Sequence, residues 1–285
     1  MIKELFQSGR PTLSFEVFPP KKDDEFENAY NVLNQLSELH PDFISVTYGA
    51  GGSKSKKTVE IASYIQNTLH IPAIAHMTCV GSKKEDIDLV TEDLKKANIS
   101  HVLALRGDRP SWMDDAQFES RDFAHASDLT RYLKENTNLQ IAGACYPEKH
   151  YEAVDMKTDI AHLKEKADAG ASFLITQLFF ENSFFYRFLE EKEKAGISLP
   201  VCAGIMPITT AKQLGTTVSL SGSSVPKELA DIIATYGDNA EDMRKAGIDY
   251  AVRQILDLKA HGVDGIHIYS MNKPKTTREI VEAIR

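Results

Sequence analysis

The chain has little that would tie it to a membrane, a nucleic acid or an oxidising compartment. Its 285 residues include only 3 cysteines and 1 tryptophan, and no apolar run approaches the roughly 18 residues needed to cross a bilayer. Cys79, Cys145 and Cys202 cannot all pair with one another, and none stands at CxxC spacing. Each sits in a β-rich run and reads as a small buried apolar residue, so neither a structural zinc nor a redox centre is expected. HExxH is absent and no two histidines stand at metal-ligand spacing, so no metal is expected. Nucleotide fingerprints are missing as well. GAGGSK at 49–54 lacks the last glycine of GxGxxG, and GxxxxGK[ST] occurs nowhere, so any nucleotide must be bound in another way. Basic residues are outnumbered 33 to 41, and the net charge of -8 opposes attraction to phosphate backbones or anionic lipid. The start, Met1-Ile2-Lys3-Glu4, lacks the apolar stretch of a secretory leader. The expectation is a cytoplasmic protein with no nucleic-acid or membrane partner.

What is present is a rhythm. Short apolar or β-branched runs fall at 13–18, 43–48, 73–79, 102–106, 141–146, 173–178, 201–206 and 265–269. Amphipathic segments of helical length follow at 25–39, 55–68, 84–97, 126–136, 156–169, 182–195, 209–215 and 275–284, with a further pair at 226–236 and 239–260. Strand and helix in alternation imply parallel strands joined by crossovers. Eight repeats favour an α/β fold closed as a (β/α)8 TIM barrel, a single domain over residues 1–285; an open doubly wound sheet is the alternative. No Pro-rich or Gly/Ser-rich tract divides the chain, and Ser221 to Ser224 reads as a mobile loop.

In such a barrel the chemistry gathers at the carboxyl ends of the strands. Alternation along the first run puts Leu13, Phe15 and Val17 on one face and Ser14, Glu16 and Phe18 on the other, so Glu16 points into the mouth. A carboxyl among Phe15, Phe18 and two prolines is partly desolvated and suits a general acid, whereas a buried ion pair is the plainer alternative. The fourth run ends in Leu105-Arg106-Gly107-Asp108, a cation and a carboxylate at one rim position, readable as an Arg–Asp ion pair. His76 and His150 are rim candidates, although a lone histidine is more often structural. The amide of Gln177 can donate and accept together, which suits the mixed edge of a pterin or nicotinamide. Asp159, His162 and Lys166 share one helix face, for which a solvated charged surface is the default.

Taken together, SFEVFPP, VTYGA, AHMTC, LRGD, CYPEKH and ITQLFF, in order at six successive strand ends, resemble methylenetetrahydrofolate reductase over nearly the whole chain. The resemblance implies a flavoprotein barrel in which FAD takes hydride from NADH or NADPH and passes it to 5,10-methylenetetrahydrofolate in a ping-pong cycle, giving 5-methyltetrahydrofolate for methionine synthesis. It implies Glu16 as general acid and Asp108 as a second catalytic residue near the flavin and the pterin. Flavin contacts are implied at Thr47, Tyr48, Ala50, His76, Arg106, Gly107, Asp108, Ala126, Tyr146, His150, Ala153, Asp159 and Lys166. Folate contacts are implied at Gln177, Asp108 and Lys273.

Relatives of this family are commonly oligomeric, so a homo-oligomer is compatible with the resemblance. Their longer form carries a regulatory domain that binds S-adenosylmethionine, for which 285 residues leave no room, so such control is not expected. Ala211 stands where some relatives have a bulky residue and Lys273 where some have arginine; His162 and Glu165 replace Asn and Arg. Two other readings share the barrel: a flavin-free pterin-binding transferase or lyase, and a non-catalytic ligand-binding barrel.

Overall fold

The computed structural model describes residues 2–48 and 54–285. Eight parallel strands run in chain order around a closed barrel: β1 (Thr12–Val17), β2 (Phe43–Val46), β3 (Ala73–Thr78), β4 (His101–Leu105), β5 (Gln140–Cys145), β6 (Phe173–Thr176), β7 (Val201–Ile205) and β8 (Gly265–Tyr269). Closure comes from β8 pairing with β1, with Glu16 opposite Tyr269 on that side and opposite Ser45 of β2 on the other. The helices are α1 (Ile2–Leu5), α2 (Phe26–Ser37), α3 (Lys54–Ser63), α4 (Lys84–Lys96), α5 (Asp115–Glu119), α6 (Ala126–Asn136), α7 (Met156–Asp168), α8 (Asn182–Lys194), α9 (Ala211–Ser221), α10 (Lys227–Tyr236), α11 (Ala240–Ala260) and α12 (Pro274–Ile284).

Each long helix docks through an apolar stripe at helical spacing: Ala29, Leu33 and Leu36 in α2, Leu129 and Leu133 in α6, and Thr277, Ile280, Val281 and Ile284 in α12. Caps fix their starts. Asp155 accepts from the Thr158 N–H before α7, Thr210 from Gln213 before α9, and Asn239 from Glu241 and Asp242 before α11. Among the described residues no helix is long and apolar enough to cross a membrane.

The period of two divides every strand between two cores. Outward residues such as Phe15, Val17, Ile44 and Val46 join the layer under the helices, while Phe43, Ile74, Leu103, Phe173, Ile175 and Cys202 fill the barrel interior. α1 plugs its amino-terminal end. Ile2 is fully buried in that inner cluster, its N–H donates to His101 Nε2 at 3.3 Å, and Phe6 packs on Phe173 with ring centroids 5.4 Å apart. All three cysteines are free and buried, and burial pushes the Cys79 and Cys202 thiols up to about 12.

Several local expectations change. Most strands end one or two residues earlier than the apolar runs suggest, so Tyr48, Cys79, Arg106, Tyr146, Gln177 and Met206 lie just beyond them on the rim. The segment 55–68 finishes as a π-turn over Tyr64–Thr68. α9 extends to Ser221 and stops at Gly222, whose φ of 71° closes the helix in the left-handed region. The residues that follow are anchored rather than loose: the buried Ser223 hydroxyl donates to the Leu178 carbonyl at 2.8 Å, and Ser224 binds Glu148 through its N–H at 2.9 Å. Alternation had no means of showing these long-range bonds.

At Gly247 the backbone of α11 lies against the strand-to-helix loop after β7, so a Cβ there would stand 1.8 Å from the Ile208 carbonyl oxygen. Alanine would gain about 1 kcal/mol of helix propensity, while the forced separation costs about 3 kcal/mol. Gly247→Ala is therefore expected to lower the urea midpoint by the equivalent of about 2 kcal/mol; an unchanged or raised midpoint would contradict this packing.

Candidate active site

The carboxyl rim of the barrel collects most of the polar residues singled out from the sequence. Glu16 is the second-last residue of β1, and its Oε2 lies 3.6 Å from His76 Nε2 on β3 and 3.9 Å from His267 Nε2 on β8. The expected apolar shell is not what surrounds it. Phe15 turns into the helix layer and Phe18 is 38% exposed, so the nearest ionisable neighbours of this carboxyl are two imidazoles. His76 is only 6% exposed, and burial drives its pKa down to about 4 against the pull of Glu16, which keeps the ring neutral at pH 7. Its Nε2 has no hydrogen-bond partner among the described residues.

Two cavities lie at the carboxyl rim, and His76 lines the larger. One, of about 840 Å³, is lined by Thr47, Tyr48, His76, Gly107, Asp108 and the exposed Trp112. The other, of about 430 Å³, is lined by Arg106, Ala126, Tyr146, His150, Ala153, Asp159 and Lys166. Leu105 at the end of β4 lines both and forms their common wall. Beyond it the chain turns sharply at Gly107, whose φ is 83°, and a Cβ there would lie 2.9 Å from Val80 Cγ1. Ala50 and its neighbours 49–53 lie outside the described residues.

Arg106 does not pair with Asp108. Its guanidinium forks onto Glu152, with Nη1 to Oε2 at 2.5 Å and Nη2 to Oε1 at 2.9 Å, while Asp108 is exposed on the cavity wall. Hydrogen bonds from Arg106, and less strongly from Tyr151, hold the Glu152 carboxyl down at about 2 despite partial burial. No sequence signal marked Glu152, because it sits in an irregular loop without periodicity. The α7 face is solvated only in part: His162 is exposed, but its two companions are not. Asp159 is buried and its pKa is raised by that burial, and Lys166, lowered by burial, donates from Nζ to the Ala144 carbonyl at 2.5 Å. Gly143 makes room for it: a Cβ there would stand 2.7 Å from Lys166 Cδ. His150 packs edge-on to Tyr146 at 4.7 Å and stacks on Tyr151 at 4.6 Å.

Gln177 lies apart from these two cavities, in a depression of about 470 Å³ with Met206, Gln213 and Met271, and its Oε1 accepts from the Leu178 N–H at 2.9 Å. Lys273, just before α12, is exposed and donates to Thr209 Oγ1 at 3.3 Å without lining that depression. Among the described residues there is no group of three or more His, Cys, Asp or Glu side chains able to hold a metal ion.

The pattern of the methylenetetrahydrofolate reductase family matches residues 1–285. The chain belongs to that family. It is 34% identical to methylenetetrahydrofolate reductase (NADH) 1 of Arabidopsis thaliana over 96% of this chain and 48% of that protein. It is 32% identical to 5,10-methylenetetrahydrofolate reductase of Escherichia coli over 97% of this chain and 91% of that one. The chain thus spans about half the length of its plant relatives in the methylenetetrahydrofolate reductase family and nearly all of the bacterial one. Among solved structures, an uncharacterized protein from Clostridium thermocellum that binds two copies of 5-methyl-5,6,7,8-tetrahydrofolic acid matches with a TM-score of 0.67 at 15% identity, covering 99% of this chain and 96% of that one. Dihydropteroate synthase from Xanthomonas albilineans matches at 0.53 and 12% identity, covering 96% and 91%. At such identities the likeness is one of fold.

The neutral His76 sets a pH dependence for this reductase-family barrel. Its pKa is about 4 when folded against an ordinary 6.5, so below pH 6.5 the unfolded chain takes up a proton that the folded one does not, and stability falls as pH drops toward 4. Urea melts at pH 7 and pH 5 should differ by roughly 2 kcal/mol on this account, and His76→Gln should shrink that difference. An equal difference in the variant would show that His76 does not carry it.

Proposed function

We propose that this chain is a cytoplasmic reductase that converts 5,10-methylenetetrahydrofolate to 5-methyltetrahydrofolate with NADH or NADPH as reductant, and that residues 1–285 form one FAD-binding unit. The observation that carries this reading is that Glu16 sits beside His76, which lines the cavity with Asp108 on its wall, next to a second cavity lined by Arg106, His150 and Lys166. The NADH in the names of the plant relatives supports that reductant.

These residues fit a flavin dinucleotide. Cationic and imidazole groups in the smaller cavity suit a pyrophosphate and its riboses in place of a GxGxxG loop, and the unpartnered Nε2 of His76 offers a polar contact in the larger one. Arg106, Ala126, Tyr146, His150, Ala153, Asp159 and Lys166 would hold the dinucleotide end, while Thr47, Tyr48, Ala50, His76, Gly107 and Asp108 would hold the ring end. When bound, FAD supplies the two-electron chemistry that couples a reduced nicotinamide to the folate.

The protein's part is acid–base and positional. Glu16, in its protonated form, gives a proton to the folate nitrogen that leaves the methylene carbon, opening the five-membered ring to an iminium that accepts hydride. Asp108 accepts a hydrogen bond from the pterin and, through its charge, disfavours further negative charge beside it. Gln177 contacts folate and nicotinamide in turn at one place, which makes the cycle ping-pong, and Lys273 faces the anionic end of the folate. Arg106 reaches an anionic ligand by exchanging Glu152 for it.

The purified protein should be yellow, or become so with added FAD, and should bleach with anaerobic NADH. A colourless protein that cannot be loaded would overturn the flavin reading and leave a pterin-binding barrel. Glu16→Gln should keep NADH-driven bleaching within about twofold while slowing reoxidation by the folate at least about a hundredfold; equal loss of both half-reactions would contradict the acid role. For Asp108→Asn the flavin potential should rise and the folate Kd increase about tenfold, and an unchanged potential in dye equilibration would count against its placement.

A further inference from the structure

The proposed role of Glu16 requires its carboxyl to present one oxygen to the substrate, and the barrel interior beneath it is organised to do so. His267, in the middle of β8, is fully buried and stacks on Phe43 at 6.0 Å. Each ring nitrogen meets a serine hydroxyl: Nδ1 lies 2.7 Å from Ser14 Oγ on β1, and Nε2 lies 3.4 Å from Ser45 Oγ on β2. The single proton of the Ser14 hydroxyl has two acceptors in reach, His267 Nδ1 at 2.7 Å and the Ile266 carbonyl at 3.2 Å. A separation of 2.7 Å is typical of an O–H donor and short for an N–H donor. The Ser14 hydroxyl therefore donates to Nδ1, which puts the ring proton on Nε2.

That N–H donates to Ser45 Oγ at 3.4 Å, and His267 Nε2 stands 3.9 Å from Glu16 Oε2, too far for a hydrogen bond in this arrangement but close enough for the N–H dipole to attract the oxygen. A bare nitrogen lone pair at the same place would repel it. From β3, His76 Nε2 approaches the same oxygen at 3.6 Å, so both imidazoles face Oε2. Tyr269, opposite Glu16 on β8, donates its hydroxyl to the Thr176 carbonyl at 2.7 Å instead.

We infer that His267 is a positioning residue for the acid step: with Ser14 fixing its tautomer, its Nε2–H holds Glu16 Oε2 toward the barrel interior and leaves Oε1 to carry the proton to the substrate. No proton passes through His267 in this role. This inference rests on the proposed acid role of Glu16.

The test follows reoxidation of the NADH-reduced holoenzyme by 5,10-methylenetetrahydrofolate in single turnovers, with folate affinity measured alongside. His267→Phe keeps a ring against Phe43 but removes both nitrogens, whereas His267→Gln returns an amide N–H near the Nε2 position. Ser14→Ala removes only the tautomer-setting hydroxyl, and remains informative if the phenylalanine variant fails to fold. The reoxidation rate is expected to fall about tenfold to a hundredfold in His267→Phe and Ser14→Ala with folate Kd changed less than about threefold, and to recover most of that loss in His267→Gln. Rates equal to the unsubstituted enzyme in both variants, a loss seen in Kd instead of rate, or no recovery with glutamine would each overturn the inference. If Glu16→Gln itself reoxidises normally, the acid reading fails first and the inference falls with it. A slow Glu16→Gln beside a fast Ser14→Ala condemns the inference alone.

Discussion

Closure of the eight-stranded barrel is the constraint from which the rest follows. Once β8 pairs with β1, every strand must serve two cores, one under the helices and one inside the barrel, and neither leaves a strand face for water. Strands of only four to six residues then place one or two side chains each at the carboxyl rim. The interior is apolar toward its amino-terminal end, where Ile2, Phe43 and Phe173 meet, and becomes polar one layer below the mouth, where Ser14, Ser45 and His267 form a hydrogen-bonded group. Glu16 stands on that layer, beside its two imidazoles.

A second theme is how buried charge is compensated. Lys166 and Asp159 enter the rim from α7 in surroundings that disfavour their charged forms, and each is met by backbone: the Ala144 carbonyl for the ammonium and the His150 N–H for the carboxylate. Arg106 is treated differently, with a complete bidentate carboxylate partner in Glu152. A positive group lining a ligand cavity while bound to an internal anion presents a weaker field to solvent than its formal charge suggests, which favours ligands that bring a full anionic group.

Much of this was legible in the sequence because strand period and helix period are local signals. The inward aim of Glu16 follows from alternation with Phe15 and Val17 alone, and helix 126–136 has the same limits in the structure. What escaped depends on partners remote in the chain. His267 is one polar residue in an apolar run, and its meaning appears only when Ser14, 253 residues away, is brought beside it. Glu152 and Ser223 lie in irregular segments whose bonds to Arg106 and Leu178 leave no periodic trace. The apolar shell anticipated around Glu16 failed for the complementary reason: sequence neighbours on a strand point to opposite faces, so Phe15 shields the helices rather than the acid.

The pairing of first strand with last also shapes how the protein comes into being. During synthesis β1 waits for nearly the entire chain before its second neighbour exists, so the growing sheet carries two open edges until Gly265–Tyr269 emerges. The polar layer under Glu16 is completed in the same event, since His267 arrives on that final strand. A chain halted or cleaved before β8 would therefore keep both sheet edges open and lack the polar layer beneath Glu16.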